Sequence, residues 1–110
     1  MIMKLLKVNK LVNDSKKYEA IFLLDNEKEK KVKFGASGYR DFTLINDKNS
    51  KFYLPKTLDR NVVKDSYLRR HEKNENWNLP TTPGSLSRWL LWNKKTFNAS
   101  LKDFKKRFKL

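Results

Sequence analysis

The sequence predicts an α+β fold: an N-terminal antiparallel three-stranded sheet followed by three helices packed on it. Three observations lead there. Residues 29–35 alternate, with Val32 and Phe34 on one side and Lys31 and Lys33 on the other, the pattern of a strand with one wet face. Residues 97–108 place Phe97, Leu101, Phe104 and Phe108 at helical spacing, an amphipathic stripe. Between them, Thr82 and Pro83 fit the N-cap and first position of a helix, where the missing proline N–H costs nothing. Strands first and helices after is the order of an α+β domain. At 110 residues the chain reads as one small basic domain, 1–110, with a β meander over about 1–35 and a helical part over about 57–110.

Taken in order, residues 3–12 form a first strand. Leu6, Val8 and Val12 would share a face, although Leu5 and Leu11 break the alternation. Asn13, Asp14 and Ser15 turn the chain. Residues 17–24, KYEAIFLL, read as a central strand, apolar on both faces near its end. Asp25, Asn26 and Glu27 make the second turn, and residues 29–35 the third strand. Such a sheet needs a cover to be stable. Gly35-Ala36-Ser37-Gly38 could bring backbone N–H groups to a phosphate, but it lacks P-loop spacing and reads better as a strand end and turn. Residues 39–44 read as a short extended piece or bend. Residues 46–56 read as a surface loop pinned by Phe52, Tyr53 and Leu54 and ended by Pro55. The first helix is placed at about 58–73, with Thr57 as N-cap, Asp59 in its first turn, and Val63 and Tyr67 on one face. Trp77 to Thr81 is an extended linker, since Pro80 disfavours helix in the residue before it. The second helix runs to about Trp92. Its apolar face is Leu86, Trp89 and Leu90, widened by Leu91 and Trp92, with Ser85, Ser87 and Arg88 as the polar side. A third helix begins near Thr96 or Asn98.

Composition narrows the function. Net charge is +14, which favours polyanions as partners. Of 26 basic residues, 20 are Lys; bidentate recognition prefers Arg, so general electrostatics is expected over base-specific readout. Lys and Asn abundance also follows from an AT-rich genome, but the charge remains. The aromatic share of 13% is too rich for a typical disordered chain. Without cysteine there are no disulfides, no Cys-ligated zinc and no thiol catalysis, and a lone histidine cannot build a multi-His metal site. No cofactor or metal is expected. The stretch MIMKLLKVNK is too short in apolar residues for a signal peptide or membrane span, so a reducing, cytosolic compartment is expected.

The densest chemistry lies between Asp65 and Asn93, which holds all three tryptophans and His71. His71 with Asp65 or Glu75 and Ser85 or Ser87 could be drawn as a catalytic set. Nothing in the spacing demands it, and a lone histidine beside arginines is more often a helix-surface group, so no catalytic residue is assigned. Nucleic-acid binders without strong sequence preference combine cations with stacking aromatics. The residues that fit are Arg69, Arg70, Arg88, Lys94, Lys95, Lys105, Lys106 and Trp77, with Arg60 and Lys64 expected on the same basic surface. Trp89 and Trp92 read as core.

The segments GASGYRDFT, YLRRHEKNENWN and TPGSLSRWLLWNK resemble a family of small basic proteins encoded by large DNA viruses of protists and algae, a domain of unknown function. The resemblance covers roughly residues 30–107, with SRWLLWNK its most specific part and residues 1–28 less typical. It implies a viral protein with no catalytic residues to carry over. The expected partner is nucleic acid, DNA before RNA, in the host cytoplasm or viral factory and packaged in the virion. The alternative is a minor capsid or internal virion protein that meets acidic protein surfaces, through an apolar patch on the first strand or the Phe97–Phe108 stripe. Membrane association of that stripe is a third reading, less favoured because a stripe of four residues more often faces a core.

Overall fold

The computed structural model of the chain describes residues 2–110, with side chains from Lys4 onward. Met1, at the head of the predicted domain, and the side chains of Ile2 and Met3 lie outside it. The sheet is an antiparallel meander in the order β1-β2-β3: β1 Ile2–Lys10, β2 Lys16–Leu24 and β3 Glu29–Ala36. Central β2 buries Ala20, Ile21 and Phe22, and β3 buries Val32 and Phe34, as their alternation predicts.

β1 differs from expectation. It stops at Lys10, and Val12 is exposed in the turn, where Asn13 takes a left-handed conformation and the Asp14 carboxylate accepts from the Lys16 N–H. Asparagine is among the few non-glycine residues that tolerate that backbone. Leu5 is buried and Leu6 exposed, the reverse of the predicted face. The cause is a register shift between Leu5 and Lys7. One extra residue there lets Leu5 and Val8, three apart, both meet the core.

Four helices follow. The first, α1, Phe42–Ile45, occupies the stretch expected to be a short extended piece or bend. Buried Asp41 caps it, accepting from the Leu44 N–H and the Thr43 hydroxyl, while Phe42 and Ile45 enter the core. Residues 46–56 form the expected loop, with Phe52 and Leu54 packed on the core and the Leu54 N–H donating to the Ile45 carbonyl. Helix α2, Thr57–Glu72, starts one residue early. Its N-cap is Lys56, and the Thr57 hydroxyl accepts from Arg60 instead of capping. This longest helix buries no residue fully, and Val63 and Tyr67 are its half-buried contact.

Helix α3, Pro83–Leu86, opens on the Thr82 cap and Pro83 as predicted, then widens into a π-turn, Ser87–Leu91. A regular helix turns about 100° per residue, so Leu90, Leu91 and Trp92 would fan around it. The wider turn, closed by the Trp92 N–H on the Ser87 carbonyl, ends the helix with all three buried. Ser85, expected on the polar side, is fully buried, because its hydroxyl donates to the Trp77 carbonyl. Helix α4, Phe97–Phe108, is capped by Thr96 and closed by left-handed Lys109, with the Leu110 N–H on the Lys105 carbonyl.

One hydrophobic cluster joins the layers. Leu5, Ala20, Phe22, Val32 and Phe34 of the sheet meet Phe42, Ile45, Leu86, Leu90, Leu91, Trp92 and Phe104. Tyr18 stacks between Phe34 and Phe97, at 5.6 and 4.8 Å, and so ties the sheet to α4. On the other face, Ile21 sits in register between Lys7 and Lys31. Long stems of that kind cover apolar surface while the charge stays in water. Among the described residues no helix is long and apolar enough to cross a membrane.

Candidate nucleic-acid interface

The cations fall into two settings. The first surrounds the tryptophans. The Arg88 guanidinium lies 4.2 Å over the Trp89 ring and 5.3 Å over Trp77, and donates to the Trp92 carbonyl at 2.8 Å. Arg107 lies over the same Trp89 ring at 3.9 Å. The Trp89 indole N–H donates to the Trp77 carbonyl at 2.8 Å, and the Trp77 N–H to Glu75 at 2.9 Å. Lys64 turns inward, over the Phe42 ring and onto the Asn93 carbonyl at 2.7 Å. Asn93 in turn donates to Asp103, which also pairs with Arg107.

Electrostatics records this crowding. Burial pushes the Lys64 ammonium below the usual lysine range, and Arg88 and Lys94 push it further. Burial, then Arg107, likewise lowers Arg88 from its usual value, and its Nε is buried with no hydrogen-bond partner among the described residues. Burial pushes the Asp103 carboxyl up, but the Asn93 amide and Arg107 outweigh it and hold the group below the usual carboxylate range.

The second setting is a cleft of about 420 Å³. The loop after β3, the C-terminal end of α2 and the start of α3 surround it. Lys16, Lys17, Arg40, Arg70 and His71 line it, with Tyr39, Tyr67 and Trp92 as its aromatic groups. Two glycines let these segments approach. A Cβ on Gly35 would stand 2.7 Å from a Leu91 methyl, and its φ of +78° already excludes most side chains. A Cβ on Gly84 would stand 2.8 Å from the Glu75 side chain. The cleft carboxylates are already engaged. Asp41 takes the Lys17 ammonium at 2.7 Å, and Glu75 holds His71 Nδ1 at 3.0 Å. Tyr67 is sandwiched between His71 and Trp92 at 4.1 and 4.2 Å, and burial, then the Glu75 charge, pushes its phenol far above the usual range.

The residues predicted from sequence therefore separate. Arg70 reaches the cleft and Arg69 is exposed beside it on α2. Arg88 and Trp77 belong to the indole cluster, half-buried, with ring, carbonyl and carboxylate partners inside the fold. Lys94 and Lys95 are exposed between α3 and α4, Lys94 within electrostatic range of Lys64 and Asp103. Lys105 and Lys106 are exposed in the last turn of α4. Lys64, expected on a continuous basic surface, is not part of one. Sequence reasoning missed Lys16, Tyr39 and Arg40 as cleft residues. The signal for Tyr39 and Arg40 was the GASGYRDFT segment, whose glycine loop was weighed only for its backbone, whereas Lys16, at the start of β2, carries no such signal.

Residues 6–53 match the model of a family described as a Family of unknown function (DUF5754). The match begins and ends earlier than the expected 30–107: it takes in most of the β1–β2 hairpin and stops before α2 and the SRWLLWNK segment. No curated protein and no solved structure matches the chain. Over the sheet, α1 and the Tyr39-Arg40 side of the cleft, this chain is thus similar to an uncharacterised domain.

Proposed function

We propose that the chain binds nucleic acid through electrostatics, without catalysing a reaction, as a genome-condensing or packaging protein of a large DNA virus. One observation carries this reading. Arg69, Arg70, Lys94, Lys95, Lys105 and Lys106 are exposed and enter no ion pair among the described residues. Asp41, Asp14 and Asp103 are taken by Lys17, Lys33 and Arg107, and Asp65 and Glu72, one turn from Arg69 on α2, form no ion pair with it among the described residues. Cations left in water attract a polyanion at little cost in fold. DNA is favoured over RNA because the motif resemblance is to proteins of DNA viruses.

A gel-shift series with double-stranded DNA, RNA and heparin tests it. With roughly six to ten phosphate contacts, affinity should fall by about 10³ or more between 50 and 200 mM salt. Absence of binding at low salt overturns the reading.

A second reading, a virion component that meets acidic protein surfaces, has Leu58 and Val62 in its favour. They stand exposed one turn apart on α2. The Phe97–Phe108 stripe does not serve it, being packed on the core. Fractionation of virions separates the two: a place in the shell, away from the genome, favours the second.

A further inference from the structure

Surface charge alone does not account for the cleft. Lys16, Arg40 and Arg70 line it and enter no ion pair among the described residues. With Lys17, they outnumber the two lining carboxylates, both already engaged. Beside these cations Tyr39 is 70% exposed, with no ring stacked on it among the described residues. An aromatic ring left that bare forgoes the burial that normally holds such side chains inside. Tyr67 contrasts with it, since both its faces are covered. Tyr67 is a wall of the cleft, and Tyr39 is a platform at its mouth. With Nδ1 of His71 held on Glu75, its Nε2 is the ring nitrogen left for a ligand.

The geometry points to a binding site for a nucleoside phosphate in this cleft, its base stacked on Tyr39 and its phosphate met by Lys16, Arg40 and Arg70. This rests on the nucleic-acid reading above and names the unit that is gripped: an unpaired nucleotide, free or within a single strand. The volume is in the range of small-ligand sites. A base within a duplex is stacked and paired, and would have to be extruded to enter.

The test titrates the chain at moderate salt with adenosine 5′-monophosphate and with a short oligodeoxythymidylate. Tryptophan fluorescence is the readout, since Trp92 lines the cleft. Adenosine and inorganic phosphate serve as half-ligands, and duplex DNA is followed separately by gel shift. Saturable quenching by the monophosphate or the oligonucleotide is expected, with each half-ligand weaker. The monophosphate alone would identify a free nucleotide as the source, and the oligonucleotide a strand. Tyr39→Ala should weaken that binding about tenfold, with the duplex gel shift and the melting temperature unchanged. Arg70→Ala should weaken it as well, and Lys105→Ala should leave it intact.

Absence of quenching by both probes, or a Tyr39→Ala chain that binds them as the wild type does, overturns the inference. So does an equal loss of duplex binding in Tyr39→Ala, which would make the cleft one part of a general cationic surface. The two readings fail separately. Duplex binding without cleft quenching removes the cleft alone, and quenching without duplex binding removes the surface reading alone.

Discussion

The indole cluster and the cleft carry the same kinds of residue and use them in opposite ways. Around Trp77 and Trp89, half-buried Arg88 and exposed Arg107 sit on ring faces and donate to a carbonyl or carboxylate of the chain itself. Around Tyr39, the arginines are exposed and the ring is bare. A desolvated cation over an indole contributes about 2 kcal/mol to the fold, an exposed one nearer 0.5–1. The first group thus spends its interactions on stability and the second keeps them for a partner. Interleaved arginine and tryptophan in sequence looks like a binding face. In three dimensions it is the brace between α3 and α4, and the partners inside the fold tell the two apart.

The largest way to break this contrast is to remove the ring that both arginines share. Trp89→Ala should destabilise the fold by about 3 kcal/mol, the low end for a large aromatic because Trp89 is only half-buried. It deletes two cation–π contacts, the Phe108 edge contact and the hydrogen bond to the Trp77 carbonyl at once. Urea unfolding measures it. A loss below about 1 kcal/mol would mean that the cluster does not brace the helices.

A paired comparison of arginines sharpens the contrast next. Arg88→Ala should cost about 2 kcal/mol, since it removes a charge-assisted hydrogen bond and leaves the Trp92 carbonyl open. Relief from Arg107 repulsion offsets part of that. Its duplex affinity should stay within about threefold of wild type. Arg70→Ala should do the reverse: stability within about 0.5 kcal/mol, as for other exposed substitutions, and weaker binding. If Arg88→Ala lost affinity at unchanged stability, the arginine would be a binding residue after all.

What the sequence showed, and what it hid, follows the range of the interactions. Thr82 with Pro83, Thr96 and the Phe97–Phe108 stripe are local signals, and each element starts where they place it. Asp41 caps α1 locally, but it is buried with the Lys17 ammonium on its other oxygen, a partner 24 residues away that no local pattern announces. The phase of β1 was hidden by a register shift, and the burial of Ser85 by a carbonyl eight residues upstream. The cleft shows the same limit. Arg70 was visible as a cation, but its convergence with Lys16, Tyr39 and Arg40 rests on Gly35 and Gly84 permitting two close approaches.

The smallest effect tests the brace through pH. Asp103 receives the Asn93 amide and Arg107, which together hold its carboxyl below the usual range against the effect of burial. A carboxylate with a folded pKa below its unfolded value of about 3.9 adds stability above that value and loses it as pH falls through the folded one. Asp103→Asn keeps the shape and removes the charge. The variant should therefore be less stable than the wild type by about 1 kcal/mol at neutral pH, and the difference should close as pH drops below about 4. Subtracting the two denaturation curves at each pH cancels the parallel contribution of Asp14, whose carboxyl is also lowered, by its hydrogen bond from Lys33. A difference that stayed constant with pH would separate Asp103 from the charge network, leaving Arg107 held by the Trp89 ring alone.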